Sequence, residues 1–371
     1  MIGKAVYKKR FRNRILPVWL ILAAVMMLGG CASKPEPDSP KADEQVREEK
    51  KYQIGLSFDS FVIERWTRDR DVFVSTAESL GAEVNIQNAN GIVDEQISQI
   101  RYFIKKKMDV IVIIAIDGTA LKQVIEEAKA AGIKVISYDR LILDAQTDLY
   151  ISFDNRQVGW LMGEALKEAL PNGGTLFASC GSASDHNVSQ IEEGLAQSLE
   201  GSDLEIVYSA YCTNWLAELA FDYVNEGLEQ FGSVDGIMCG NDDLAGQAIR
   251  ALSEHRLAGK AAVVAQDAEL SACQRIMEGT QVMTVFKSVD EEAKAAAQLA
   301  VALASGTDIT DPSSPIVVTD TINDGSGEIP AYCIEPVAVT AENMDKEIIG
   351  SGFHRREDVY LNVEDPEEEE T

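Results

Sequence analysis

From Tyr52 onward, strand-like runs alternate with helical patterns, and the whole series occurs twice. The first series places strands at 53–58, 82–87, 109–114, 134–138 and 149–153; the second places them at 175–179, 204–209, 234–239, 261–265 and 281–286. Between them lie helical patterns, among them Val93, Ile97, Ile100 and Ile104, whose spacing faces them to one core. In the second series helices are predicted near 187–199, 215–230, 243–256 and 269–278. Strands separated by helices of this length imply parallel sheets covered on both faces. The predicted class is therefore α/β, with two doubly wound parallel-sheet lobes joined by a hinge. A chain of 371 residues, 46% of them apolar, can fill two such cores.

The crossing between the series is legible at 134–160. Val135-Ile136-Ser137-Tyr138 ends in Asp139-Arg140, where an ordinary surface turn would do with Gly or Asn. No helical repeat fits before the next strand, so that strand either edges the first sheet or carries the chain out of it. Asp154-Asn155 then offers a side-chain oxygen to the free N–H groups of a helix starting near Arg156.

The residues just past the strand ends are as regular as the strands themselves. Asp59, Asn88 and Asn90, Asp117, and Asp139-Arg140 come after four strands of the first series. Asp185 to Asn187, Asn214-Trp215, Asn241-Asp242, Asp267 and Lys287 come after those of the second. Parallel sheets bind ligands outside the carboxyl ends of their strands, which gathers these residues round one cleft between the lobes. Asp and Asn are also common helix caps, but Arg140, Lys287 and Trp215 are not acceptor caps. Carboxylates and amides set against guanidinium and ammonium groups suit a polyol, whose hydroxyls both donate and accept. Trp66 and Trp215 could cover the C–H face of a sugar ring; core packing is the alternative for each. Trp66 stands among Glu64, Arg65, Arg68, Asp69 and Arg70, which a core would not explain.

The two ends read differently. Six basic residues precede an apolar run from Ile15 to Leu28 that is short for a membrane span and closes in Leu28-Gly29-Gly30-Cys31. This resembles a bacterial lipoprotein signal, in which Cys31 is acylated and becomes the mature N-terminus; an uncleaved signal anchor is the alternative. Residues 1–30 are thus expected to be a signal peptide, and the proline-punctuated, charged stretch 31–51 a disordered tether. The end from 356 to 371 is acidic and is expected to be a disordered tail. With a net charge of −28 the surface repels phosphates, so nucleic acid is not an expected partner.

Several runs together resemble the periplasmic D-xylose-binding proteins of ATP-driven sugar importers, within the pentose- and hexose-binding proteins of the type I fold. They include Glu64-Arg65-Trp66, Asp69-Arg70-Asp71, Ser98-Gln99-Ile100, Tyr138-Asp139-Arg140, Ser152-Phe153-Asp154-Asn155, Gly240-Asn241-Asp242, Gln266-Asp267-Ala268, Met283-Thr284-Val285 and Gly352-Phe353-His354. The likeness covers nearly all of 52–355. It implies that Arg65 and Trp66 meet a sugar from the first lobe together with Asp139 and Arg140. Asp185, Asn187, Trp215, Asn241, Asp267 and Lys287 would complete the site. By the family pattern, 288–305 returns to the first lobe, giving lobes of 52–154 with 288–325 and 155–287 with 326–345. Hinge segments are expected at 153–155, 286–287 and 323–327. The chain departs from the family at His186, where an asparagine is usual, at Ser288 in place of proline, at Ala115-Ile116-Asp117-Gly118, and at Asp243 in place of a small residue. These leave the sugar less defined than its class, with D-xylose ahead of other pentoses and hexoses.

The resemblance implies capture of a monosaccharide by a monomer, without a cofactor, and delivery to an ABC permease and its ATPase. An extracellular sensor signalling to a membrane histidine kinase is the alternative. An enzyme is not expected, because no Gly-x-Ser-x-Gly elbow, His-Glu-x-x-His pair or phosphate loop occurs. His186, in the expected cleft, reads as a polar contact rather than a base. A repressor of this fold would need a basic helix-turn-helix where the signal and tether stand. Apart from Cys31, the five cysteines have no metal-like spacing and read as isolated buried thiols.

Overall fold

The computed structural model describes residues 51–314 and 316–365. The expected signal peptide, Cys31, the tether up to residue 50 and residues 366–371 lie outside the described residues. The first series folds as β1 (Tyr52–Phe58), α1 (Arg65–Ser79), β2 (Ala82–Asn88), α2 (Val93–Lys106), β3 (Val110–Ile113), α3 (Lys122–Ala130), β4 (Lys134–Tyr138) and β5 (Leu149–Phe153). The second runs α4 (Asn155–Ala169), β6 (Gly174–Cys180), α5 (His186–Leu199), β7 (Leu204–Tyr211), α6 (Glu218–Phe231), β8 (Gly236–Cys239), α7 (Asp242–Glu254), β9 (Ala262–Gln266), α8 (Leu270–Met277) and β10 (Met283–Phe286). After these come α9 (Val289–Ser305), β11 (Asp320–Asn323), β12 (Glu328–Ile334), β13 (Val337–Val339) and α10 (Arg356–Val359).

Two sheets result, ordered β11-β12-β5-β4-β3-β1-β2 and β13-β10-β9-β8-β6-β7. Their shared pattern, second-first-third-fourth-fifth, is a doubly wound order whose switch points fall between β1 and β3 and between β6 and β8. All pairings are parallel except β11 with β12 and β10 with β13. The central strand β3, Val-Ile-Val-Ile, is buried on both faces, as a parallel strand covered by helices must be. The edge strands β2 and β7 are largely half-buried or exposed.

Ile97 and Ile104 of the expected α2 stripe pack half-buried against one core with Ile100. Ile100 is fully buried, but beside it the helix buries Gln96, Gln99 and Phe103, while Val93 is only half-buried. The two amides serve strand ends: Gln96 donates to Ile114 O and accepts from Ile116 N, and Gln99 donates to Asn88 O. Buried backbone groups at the ends of β2 and β3 need partners, which is why amides displace aliphatic residues there.

The lobes are joined at three adjacent crossings. Phe153 pairs with Ile334 and Phe286 with Val337, and Asp154 N donates to Ile334 O at 3.2 Å. The third crossing is therefore the Glu335-Pro336 step between β12 and β13, not 323–327. That segment is the β11–β12 turn, pinned by buried Asp324, which accepts from Ala145 N and Gln146 N. The first lobe accordingly regains β12, which the expected boundary gave to the second. The expected tail is also corrected over its first ten residues. There α10 packs on α8, and Val359 and Tyr360 are buried with Met344 and Ile348. Of the free cysteines, Cys180, Cys212, Cys239 and Cys273 are buried, but Cys333 is exposed.

Candidate functional site

All ten residues singled out from the sequence line one cavity between the lobes: Arg65, Trp66, Asp139, Arg140, Asp185, Asn187, Trp215, Asn241, Asp267 and Lys287. None is more than 7% exposed. Ile63 and Gln266 complete the wall, and the space is about 300 Å³, part of it open to solvent.

Local structure aims these side chains. The first turn of α1 carries Arg65 and Trp66. Asp139 and Asp267 sit at the ends of β4 and β9 with φ of 60° and 100°, a sharp bend that aspartate tolerates better than most residues. Trp215, also at positive φ, lies flat against Gly181 and Gly240, and a Cβ on Gly181 would stand 2.2 Å from the ring. Capping and cavity roles coexist. Asp185 caps α5 by accepting from Asn187 N through Oδ1, while Oδ2 accepts from Trp215 Nε1 at 3.2 Å. Asn241 caps α7 through Oδ1, leaving its amide group to the cavity.

The charges form a closed network. Arg65 donates to Asp139 at 2.9 Å, to Asp69 at 2.9 Å and to Glu292 at 2.5 Å, and Tyr138 donates to Asp69. Arg140 donates to Asp59 at 2.8 Å and to Ala115 O, and its Nε lies 2.8 Å from Asp185 Oδ2. Lys287 Nζ is 2.8 Å from Asp267. Asn187 Nδ2 donates to both Asp139 O and Asp139 Oδ1 at 3.1 Å. Burial opposes ionisation of Asp139, yet Arg65, Lys287 and Arg140 hold its carboxyl below the usual range. Burial pushes Glu292 well above its ordinary value against the pull of Arg65, and raises Asp59, Asp69 and Asp185 less strongly. The guanidiniums also stack: Arg65 lies 4.6 Å and Arg140 5.6 Å from the centroid of Trp66, whose other neighbour is Phe58. Trp66 is thus both a core and a cavity residue.

Four polar atoms on the cavity wall are buried with no hydrogen-bond partner among the described residues: Trp66 Nε1, Asn187 Oδ1, Asn241 Nδ2 and Gln266 Oε1. Two donate and two accept. A ligand with several hydroxyls satisfies such a set; an anion or a hydrocarbon would not.

Other strand-end residues stay outside. Asn88 and Asn90 bond each other, Asp117 holds Thr119, and Asp242 is buried behind the wall on Thr284 and Gln281. His186 contacts Ser189 and is not among the lining residues. Sequence reasoning missed Gln266, although it adjoins Asp267 at the same strand end. It also missed Asp69 and Glu292, which support Arg65 from behind. Asp69 had a signal, lying one helical turn beyond Arg65. Glu292 had none, since it arrives on α9 from 227 residues away.

The arrangement is that of a two-lobed solute-binding protein of the type I fold. The chain belongs to the periplasmic binding protein domain family, whose model matches residues 54–308. It is 40% identical over 316 residues to the D-xylose-binding periplasmic protein of Haemophilus influenzae, covering 84% of this chain and 93% of that one. The Escherichia coli protein of the same name is 39% identical over 315 residues, with the same coverage. Among solved structures, an ABC transporter solute-binding protein from Clostridium phytofermentans with bound β-D-glucose superposes with a TM-score of 0.74 at 27% identity, covering 83% of this chain and 99% of that one.

Proposed function

We propose that this protein captures a monosaccharide, D-xylose ahead of other pentoses and hexoses, between its lobes and delivers it to an ABC permease and its ATPase. It does so as a monomer held at the extracytoplasmic face of the membrane by a lipid on Cys31. Capture requires no cofactor and no chemical step. The observation that carries the reading is the single cavity in which three cations, buried carboxylates, two indoles and four unpartnered donors and acceptors converge from both lobes. The names of the relatives at 40% and 39% identity support the choice of sugar.

Binding is a consequence of the two-lobed geometry. Asp139 and Arg140 belong to the first lobe and Asp185 and Asn187 to the second, so their contacts exist only when the lobes meet. A sugar that bonds to both sides favours the closed form by its differential affinity. Each ring hydroxyl left unpaired in so buried a site costs about 1–3 kcal/mol, which separates stereoisomers. Calorimetry of the purified protein against a panel of pentoses and hexoses tests the reading. D-xylose is expected to bind at micromolar strength or better, about −8 kcal/mol or more. No heat with any sugar of the panel would overturn it.

A further inference from the structure

One aromatic ring at the junction of the lobes touches the charged groups of the cavity without lining it. Phe153 ends β5 at the first crossing, is 2% exposed and pairs with Ile334 beside the third, yet it is not among the lining residues. Two of the cavity's cations lie over its ring. The Arg65 guanidinium carbon is 5.5 Å from the ring centroid and Lys287 Nζ is 5.6 Å from it. Both fall within the range, about 6 Å, at which an aromatic face attracts a cation.

The two cations serve different halves of the wall. Arg65 opens α1 in the first lobe and donates to Asp139 at 2.9 Å. Lys287 follows β10, where the chain leaves the second lobe, and stands 2.8 Å from Asp267. One hinge residue therefore addresses both cation–carboxylate pairs at once.

The attraction depends on the state of the lobes. A cation is held over a ring more strongly where water is excluded than where it is not. With the lobes in contact, Arg65 is 7% and Lys287 4% exposed; separating the lobes wets both. The ring thus favours the closed form over the open one and adds to the difference on which ligand-driven closure depends. Cations already fixed over a ring also have less side-chain freedom to lose when a ligand arrives.

We propose that Phe153 is a positioning residue for sugar binding, whose ring face holds Arg65 and Lys287 in the arrangement that the closed lobes present to the ligand and so couples the hinge to the site. This rests on the sugar-binding reading given above and extends it to a residue outside the cavity.

Fluorinated phenylalanines placed at position 153 test the role, because each added fluorine withdraws negative charge from the ring face while nearly keeping the ring's shape. D-xylose is titrated calorimetrically into each form, with circular dichroism to follow the fold. The same replacements at Phe103, a fully buried ring in the other core of the first lobe, serve as the control. Affinity is expected to fall with each fluorine at position 153, reaching about tenfold weaker binding in the fully fluorinated ring, and to stay constant in the Phe103 series. Affinity indifferent to fluorine at position 153, or falling equally in both series, would overturn the positioning role and leave the sugar reading intact. If the unaltered protein binds no sugar, both fail.

Discussion

Arg140 and Asp185 face each other across the cleft, 2.8 Å apart, one at the end of β4 in the first lobe and the other capping α5 in the second. The same guanidinium holds Asp59 at 2.8 Å, and the same carboxylate accepts from the Trp215 indole. One cation thus ties together a first-lobe acid, a second-lobe acid and the aromatic wall. Buried pairs of this kind contribute little net stability, because desolvation offsets the attraction. Their value here is positional, since each member fixes where its neighbours point.

Removing Arg140 should therefore affect binding and stability together. Arg140→Ala strips a charged partner from the cavity, and affinity for D-xylose is expected to fall by about 1.5–3 kcal/mol in a calorimetric titration. It also leaves Asp59 and Asp185 buried without their cation, at a cost of about 3–5 kcal/mol in denaturant unfolding. Unchanged affinity would remove this side chain from the site.

Asp267 and Lys287 make a pair within the second half of the wall, 2.8 Å apart and each about 5% exposed or less. Because Asp267 has a φ of 100°, alanine there would mix backbone strain with lost charge. Asp267→Asn keeps the bend and removes only the charge. Its expected effect is about 1.5–3 kcal/mol of weaker sugar binding, with circular dichroism unchanged.

A different substitution should leave the cavity alone and loosen the lobe beneath it. Helices α4 and α5 cross so closely that a Cβ on Gly159 would lie 1.9 Å from Ile191 O, and one on Gly194 would lie 1.9 Å from Arg156 O. These obstacles are backbone, so a methyl group can enter only by separating the helices. Gly159→Ala is expected to lower unfolding stability by about 1–3 kcal/mol or more. Sugar affinity measured well below the unfolding temperature should change far less.

Much of this architecture is legible in the residues themselves because parallel strands buried on both faces are written as apolar runs, and strand ends facing a cleft as Asp, Asn, Arg, Lys and Trp. Asp139, Arg140, Asp185, Asn187, Trp215, Asn241, Asp267 and Lys287, chosen that way, line the cavity, whereas Asn88, Asn90, Asp117 and Asp242 do not; Arg65 came from the family resemblance and Trp66 from the charges around it. What escaped depended on partners distant in the chain. Glu292 has the surroundings of an ordinary first-turn helix acid in α9, and only the packing of α9 on α1 sets it against Arg65. The third crossing was misplaced because Asn323-Asp324-Gly325 has the composition of a linker, whereas Asp324 is a fully buried staple on the β4–β5 loop. The acidic residues after Arg355 read as solvated, but Val359 and Tyr360 among them supply enough apolar surface to anchor α10. Gln96 and Gln99 interrupt an aliphatic stripe because they answer strand-end backbone groups, which no helical periodicity can announce.

Behind the cavity wall, α7 and α8 bring acids together, and this should make stability fall as pH rises. Burial raises Asp242 to about 7 against the opposing Arg275, and burial together with Asp242, Asp243, Asp267 and Glu64 raises Glu269 to about 10. An acid whose folded pKa exceeds its unfolded value keeps its proton on folding, so between the two values the native state binds more protons than the unfolded one. Stability then falls with increasing pH, by at most about 1.4 kcal/mol per pH unit for each such proton. The window opens at the ordinary value of 3.8 for Asp242 and 4.5 for Glu269, and closes near 7 and 10 respectively. Asp139 and Asp324, whose pKa values are depressed, act in the opposite sense and withdraw stability as pH falls below their ordinary value. The thermal midpoint is therefore expected to peak in mildly acidic solution and to decline through neutrality toward about pH 9. In Glu269→Gln the position cannot ionise, so the decline above neutral pH should flatten while the acid limb stays as it was. An unaltered slope in that variant, measured by thermal unfolding across the range, would assign the pH dependence to other groups.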